Sequence, residues 1–263
     1  MKLKRKISRK IGPYWSYKLR LLLRDRKEQT RFKKRRKFYT QFLKSGDTYF
    51  DVGANYGNRI EPIIDKGLKI VAIEPQPQCL KYLRKVFGSR ILTVNKGLGE
   101  KIEEREMFIA NADTVSTFSK DWIKTTKESG RFDKCEWDKK MTVQMSTLDN
   151  LIQEYGKPQF IKIDVEGFEL EVLNGLNHSI NFISYEYAVP EQTEMVINCL
   201  NRLKNISPDI ECNYSIGESM EWARKNWVSV EEMIKHIQTN EFVATSFGDM
   251  YVKKSSVPLN GLV

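Results

Sequence analysis

Asp47-Thr-Tyr-Phe-Asp-Val-Gly-Ala-Asn-Tyr-Gly57 decides the fold. A short β-prone run stops at Gly53, and a second glycine follows four residues later. The run predicts a strand, the glycines a tight turn, and residues 57–66 a helix closed by Gly67. Leu68-Lys-Ile-Val-Ala-Ile-Glu74 repeats the strand signal and is stopped by Pro75. Residues 77–87 carry Leu80, Leu83 and Phe87 at core spacing and end at Gly88, which predicts a second helix. Ile91-Leu-Thr-Val94 is a third strand. Short apolar strands alternating with helices predict an α/β fold, with parallel pairing and helices on both faces of the sheet.

The alternation resumes further along. Ser146-Thr-Leu-Asp149 is a helix start with a hydroxyl cap and an acid in the first turn, and that helix ends at Gly156. Phe160-Ile-Lys-Ile-Asp164 is the fourth strand, with a helix beginning near Gly167. Phe182-Ile-Ser-Tyr-Glu-Tyr187 is the fifth strand. A helix over 191–204 precedes a strand near 210–216. Ser229 and Glu232 make a capping box for a helix over 230–239. Gly248-Asp-Met-Tyr-Val252 is the last strand. Residues 100–145 fit the alternation least. Met107–Ala110 and Met141–Met145 read as short strands flanking a polar stretch with Trp122 and Trp137, an insertion or lid.

Charge divides the chain. Of 263 residues, the first 37 hold 17 Lys and Arg against Asp25 and Glu28, a net of +15; the remainder carries −5. Residues 1–45 are a basic arm and residues 46–263 a mildly acidic domain. Trp15, Leu19 and Leu22 fall at helical spacing, as do Phe32, Tyr39, Phe42 and Leu43, with Lys33, Lys34, Arg36 and Lys37 opposite. The leading reading packs the aromatic stripe on the domain and leaves the basic face in solvent. The next lays residues 1–37 on an anionic membrane, and the last sets them on a phosphate backbone. Nucleic acid is the least favoured partner, since the excess charge belongs to the arm alone.

No apolar run approaches the roughly 18–20 residues of a membrane span. The basic N-terminus lacks the apolar core of a secretory signal. Cys79, Cys135, Cys199 and Cys212 form no CxxC and, with two histidines, predict no structural zinc. A reducing, cytoplasmic setting is expected; the membrane reading of residues 1–37 is the one that would add peripheral membrane contact.

In such sheets ligands bind beyond the carboxyl ends of the strands. Gly53 and Gly57 permit a tight turn and close backbone approach, and a helix N-terminus after them offers N–H groups to an anion. Asp51 adds an anion at the strand tip. A ligand with both an ammonium and a carboxylate gains from both features, and S-adenosylmethionine has such an end. Glu74, 23 residues beyond Asp51, can accept both hydroxyls of a ribose. A dinucleotide site favours GxGxxG, and this loop is GxxxG, which argues against a nicotinamide-dependent dehydrogenase.

Phe50-Asp-Val-Gly-Ala-Asn-Tyr-Gly-Asn58, Ala72-Ile-Glu-Pro-Gln-Pro77, and Thr147-Leu-Asp149 followed by Phe160-Ile-Lys-Ile-Asp-Val-Glu-Gly-Phe-Glu169 resemble the FkbM family of S-adenosylmethionine-dependent methyltransferases. The similarity runs from about Gly46 to Tyr187, and Gly248-Asp249-Met-Tyr251 resembles the closing strand of some members. The resemblance implies a class I, Rossmann-like methyltransferase fold with a seven-stranded, mostly parallel sheet and an antiparallel final hairpin. It implies O-methylation of hydroxyls on sugars, polyketides and related metabolites. It implies that Asp51, Gly53, Asn55 and Gly57 hold the methionyl end, that Glu74 takes the ribose, and that adenine lies near Pro75, Gln76 and the turn Asn95-Lys-Gly97. Asp113-Thr-Val-Ser-Thr117 resembles a Ser/Thr-rich stretch near the cofactor.

Methyl transfer needs the acceptor oxygen held in line and its proton removed. Asp164 and Glu166, at the end of the fourth strand, are the catalytic candidates, with Glu186 behind them. Against this, Lys162 on the same strand face can pair with Asp164 as a purely structural ion pair. Glu166 beside Gly167 also suits a turn, and Glu169 can stabilise the helix start. His178 and His236 are weaker candidates for a base. Asp164, Glu166 and Glu186 could converge as hard oxygen ligands, but nothing in the sequence fixes that geometry, and no metal is predicted. The expected function is O-methylation of a carbohydrate, glycolipid or related metabolite. The alternative is a catalytically idle methyltransferase fold that docks its arm on membrane or RNA.

Overall fold

The computed structural model describes residues 25–260, so the helix expected around Trp15, Leu19 and Leu22 lies outside the described residues. Strand β1 (Thr48–Val52) is central. It pairs in parallel with β2 (Lys69–Ile73) on one side and β7 (Phe160–Ile163) on the other. Strand β3 (Leu92–Val94) extends the sheet beyond β2, and β8 (Phe182–Ala188) extends it beyond β7, again in parallel. Strand β11 (Phe247–Lys254) inserts antiparallel between β8 and β9 (Ile210–Ile216). The two-residue β10 (Val228–Ser229) pairs antiparallel with β9 at the edge, giving eight strands in the order β10-β9-β11-β8-β7-β1-β2-β3. The expected seven are present, and β10 is the addition.

Three further strands, β4 (Gly97–Leu98), β5 (Glu104–Ile109) and β6 (Lys139–Ser146), make a separate small sheet in the order β4-β6-β5. The segment read as an insertion is therefore an antiparallel β5–β6 pair. It also contains a helix, α3 (Lys120–Glu128), whose Trp122 is buried with Ala110 and Val115.

Helix boundaries follow local chemistry. Helix α2 (Pro77–Phe87) opens on a proline, whose missing N–H costs nothing in the first turn, and stops at Gly88 with φ 58°. In α4 (Leu148–Tyr155) the Thr147 hydroxyl accepts the Asn150 N–H at 3.1 Å. In α7 (Val230–Ile237) Ser229 accepts the Glu232 N–H, but the Glu232 carboxylate turns to Arg224, so only half of the capping box forms. The helix expected over 57–66 is absent. That stretch is turns and one 3₁₀ segment, Glu61–Ile63. Pro62 cannot donate to a carbonyl four residues back and would crowd it, so an α-helix starting at Gly57 is broken before its second turn.

Register assigns the faces. Phe50, Val52, Ile161, Ile163, Ile183 and Tyr185 point into the larger core, which also takes in residues of α4, α5 (Glu169–Asn174), α6 (Thr193–Ile206) and α7. The opposite face carries Tyr49, Phe160, Phe182 and Tyr251, and it is covered by Phe38, Tyr39, Phe42 and Leu43 at the end of α1 (Arg26–Tyr39) and just after it. The Phe42 ring stacks on Tyr251 at 5.6 Å and lies 4.7 Å from Phe160. Of the expected stripe, Tyr39, Phe42 and Leu43 pack on the domain, and Phe32 stays half-buried. The basic face of α1 is not merely solvated, because Lys34 meets Glu221 at 2.7 Å and Arg36 meets Asp65 at 2.9 Å. Each buried ring contributes about 2 kcal/mol and each exposed pair less than about 1, so packing dominates.

The face under α1 changes character along the strands. Its amino-end positions are aromatic, and its carboxyl-end positions are charged. Asp51 lies opposite Lys162, and Glu186 opposite Asp249. That change places a row of ionisable groups at the edge where ligands bind.

Candidate active site

A cavity of about 220 Å³ opens beyond the carboxyl ends of β1, β2, β7 and β8. Of the sequence-predicted residues, Gly53, Asn55, Glu74, Pro75, Gln76, Gly97, Asp164 and Glu166 line it together. Asp51 and Gly57 do not.

The β1 turn is built by contact with β7. Gly53 has φ 80°, and a Cβ there would lie 1.8 Å from the Asp164 carbonyl oxygen. Its N–H and that of Ala54 both donate to the Ile73 carbonyl, at 3.0 and 3.1 Å. Asn55 N–H goes to Glu74 Oε2 at 2.8 Å, Tyr56 N–H to Asn55 Oδ1 at 2.9 Å, and Gly57 N–H to the Ala54 carbonyl at 2.8 Å. The expected cradle of spare amides at a helix start is therefore replaced by a turn whose amides are used internally. Gly57 serves packing, not ligand approach: a Cβ there would meet Phe87 at 2.6 Å and Leu83 at 3.0 Å.

Asp51 is a second correction. The pleat turns it onto the α1 face with Tyr49, whose hydroxyl donates to Asp51 Oδ1 at 3.1 Å. It is 2% exposed, burial pushes its carboxyl up to about 6, and its Oδ2 is buried without a hydrogen-bond partner among the described residues. Its charge acts from behind the cavity wall.

Glu74 is held in place at both oxygens. Oε2 accepts from Asn55 and Oε1 from the Gln76 N–H, each at 2.8 Å. Burial pushes the carboxyl up to about 7 against these bonds. The Gln76 side chain bonds the same carboxylate, which leaves it one further acceptor site for a ligand hydroxyl. Beside it, Ser116 and Thr114 of the Ser/Thr-rich stretch also line the cavity. Thr117 donates from Oγ1 to the Glu166 carbonyl at 2.6 Å.

The floor is acidic. Asp164, Glu166 and Glu186 each bring a carboxylate oxygen within 4.8 Å of the others. Sheet register explains part of this, since Ile163 pairs with Tyr185 and the next residues are Asp164 and Glu186. Glu166 joins them through a left-handed backbone at φ 56°. Desolvation and the neighbouring Asp164 charge push Glu166 and Glu186 well above the usual carboxylate range. Such a cluster can hold a hard divalent cation, or the positive charge of an organic ligand. Glu169 sits beneath, fully buried, with Oε1 accepting from Val165 and Gly167. Burial pushes it up to about 7.

The ion pair expected between Lys162 and Asp164 is present at 3.2 Å, and it is one link of a longer chain. Lys162, 0% exposed, also meets Asp249 at 2.9 Å. Arg59 lies 3.9 Å from Asp249 and donates two bonds to Glu218, which Arg35 of α1 also reaches. Arg35, Arg59 and Glu218 line the cavity, and sequence reading found none of them. The one available signal was an Arg two residues after Gly57. His178 binds Asp149 at 2.8 Å and His236 meets the Tyr214 hydroxyl at 2.9 Å; neither lines the cavity.

A glycine turn and a loop-binding acid at the tips of adjacent parallel strands, over a sheet closed by an antiparallel β11, define a class I methyltransferase fold. The pattern of the methyltransferase FkbM domain matches residues 51–240, and the chain belongs to that family. Its cofactor is S-adenosylmethionine. The residues fit that cofactor: Glu74 offers an acceptor carboxylate at a strand tip, as a ribose requires, and the acidic floor suits a sulfonium.

Solved structures similar to the chain include precorrin-6y C5,15-methyltransferase from Geobacter metallireducens, at 10% identity and TM-score 0.44, covering 87% of this chain and 88% of that one. A TehB-like methyltransferase from Corynebacterium glutamicum shows 8% identity and TM-score 0.42, with 84% and 87% covered. Aeropyrum pernix fibrillarin with bound S-adenosyl-L-methionine shows 10% identity and TM-score 0.42, with 84% and 76% covered. No curated protein matches the chain. Among the described residues no helix is long and apolar enough to cross a membrane.

Proposed function

We propose that the protein, through its domain from residue 46 onward, methylates a hydroxyl of a carbohydrate, glycolipid or related metabolite. The observation that carries this reading is the convergence of Asp164, Glu166 and Glu186 on the cavity floor beside the Gly53 turn. When bound, the cofactor supplies an electrophilic methyl group on a sulfonium.

Gly53 and Asn55 hold the methionyl end, Glu74 accepts from a ribose hydroxyl, and Pro75, Gln76 and Gly97 flank the adenine. Lys162 fixes one oxygen of Asp164, which orients the acceptor hydroxyl. Glu166 takes the acceptor proton at its carboxylate. Desolvation and the Asp164 charge raise its affinity for a proton, which favours uptake of the proton the acceptor loses.

Two measurements test this. Glu74→Ala should abolish cofactor binding by calorimetry while the melting curve stays cooperative; unchanged affinity would remove the ribose assignment. Labelled-methyl transfer to extracts of the source cell, separated into lipid, glycan, protein and nucleic-acid fractions, should label lipid or glycan. Asp164→Asn and Glu166→Gln should each lower that turnover by roughly 100-fold or more with a smaller effect on melting. Label confined to protein or nucleic acid would overturn the acceptor class.

A further inference from the structure

The mouth of the cavity has the opposite charge from its floor. Arg35 reaches the wall from α1 and donates to Glu218 Oε2 at 3.0 Å. Arg59 donates to both oxygens of the same carboxylate, at 2.6 and 2.8 Å. Two guanidinium groups thus share one acid, and they hold it down to about 2. Their situations differ. Arg59, with a side chain 12% exposed, also faces Asp249 and is fixed in the wall. Arg35 has Glu218 alone as its acid among the described residues.

One helical turn before Arg35 stands Arg31, on the same side of α1 by its i, i+4 spacing. No ion pair engages Arg31 among the described residues. Two clefts run from this wall along α1, and Arg31 and Arg35 line both. One also includes Lys34 and Glu218. Glu218 follows Gly217, which has φ 51°, on the turn after β9, and its side chain is 52% exposed. An exposed carboxylate on a surface turn can return to water at little cost, and the guanidinium groups it leaves have a geometry that matches an oxyanion.

We propose that the acceptor carries an oxyanion, a phosphate or a carboxylate, beside the hydroxyl to be methylated. Arg35 and Arg31 receive that oxyanion at the cavity mouth, and Glu218 occupies its place until it binds. A neutral acceptor would use the floor and leave Arg35 bound to Glu218 and Arg31 with no ion pair among the described residues. An anionic acceptor uses both ends, and the charge gradient from mouth to floor orients it with its hydroxyl toward Asp164 and Glu166. This inference rests on the methyltransferase reading above.

The test is calorimetry on the full chain saturated with S-adenosylhomocysteine, at fixed ionic strength, with three probes: glucose 1-phosphate, glucuronate and glucose. At least one anionic probe should bind and glucose should not; the stronger anion names the source of the charge. Arg31→Gln with Arg35→Gln should weaken that binding by roughly tenfold or more. Glu218→Gln should strengthen it several-fold, because the competing charge is gone. A merely structural latch would not produce that gain, and the second variant still answers if the first fails to fold. Equal binding of glucose and the anions, or loss of anion affinity in Glu218→Gln, overturns the proposal. If S-adenosylmethionine binds and neither anion does, this proposal alone fails. If the unaltered chain does not bind S-adenosylmethionine, the reading beneath fails, and this proposal with it.

Discussion

At the β1–β2 end of the cavity the chain works with main-chain atoms. At the Arg35 end it works with long charged side chains drawn from α1, the Gly57 turn, the turn after β9, and β11. The first end is rigid because its groups are bonded to one another: five successive amides from Gly53 to Gly57 have acceptors in the chain, and Glu74 is pinned at both oxygens. The second is a line of alternating charge, Arg35, Glu218, Arg59, Asp249, Lys162 and Asp164. Its outer members are half-exposed and its inner ones buried. The cofactor end is therefore fixed by shape, and the acceptor end can exchange partners.

The sharpest way to break the cofactor end is Gly53→Ala. The added methyl would meet the Asp164 carbonyl at 1.8 Å from a backbone at φ 80°. Both the backbone and the β1–β7 contact must shift, at a cost of about 4 kcal/mol or more. A thermal melt should fall steeply, and cofactor affinity should fall with it. A melt within a few degrees of the unaltered protein would show that the turn is softer than its contacts imply.

At the other end, the inner link is next. Lys162→Met leaves Asp164 and Asp249 facing each other without their shared cation, and should cost about 3–5 kcal/mol in a denaturant titration. Adding Asp249→Asn removes one of the two stranded charges and should recover part of that loss. If the double variant is no more stable than the single, the chain is a set of independent pairs rather than one network.

Legibility followed the same division. Strand positions, α2, α4 and the placement of eight cavity-lining residues could be read because each is set by neighbours a few residues away. The false helix over 57–66 came from reading glycine spacing without weighing Pro62. Asp51 was read as a ligand because a strand-tip acid often is one. Its face depends on the pleat, and Tyr49 two residues earlier, headed for an aromatic core under α1, was the available sign. Arg35, Arg59, Glu218 and Asp249 were invisible for a different reason. The chain distance from Arg35 to Glu218 spans most of the domain, and only the antiparallel insertion of β11 and the docking of α1 bring these groups together.

A smaller effect separates buried charge from buried shape. Glu169 has a carboxyl pushed from its ordinary 4.5 up to about 7 by burial. A raised carboxyl binds its proton more tightly in the folded state. Its stabilising contribution is complete below about 4.5 and is lost as pH rises through about 7. The ligand-free protein should therefore lose up to about 3 kcal/mol between pH 4.5 and 7.5 from this group. Glu169→Gln, which keeps the acceptor for Val165 and Gly167, should flatten that slope in melts taken across the range. A slope unchanged in the variant would assign the pH dependence to other raised carboxyls, among them Glu74, Asp51, Glu166 and Glu186.

The smallest expected effect concerns how α1 is held beside the site. Its surface pairs, Lys34 with Glu221 and Arg36 with Asp65, have side chains between 33% and 70% exposed. Water and salt screen such pairs, and ordering two long side chains offsets much of the attraction. Lys34→Ala should change stability by about 0.5 kcal/mol or less, and raising the salt should leave the melt of unaltered protein nearly unmoved. Phe42→Ala, which opens a cavity among Phe160, Phe182, Trp222 and Tyr251, should cost about 3–4 kcal/mol by contrast. If Lys34→Ala were the costlier of the two, charge rather than aromatic packing would hold the helix. Arg35 would then be part of its anchor and not a group free to trade Glu218 for a substrate.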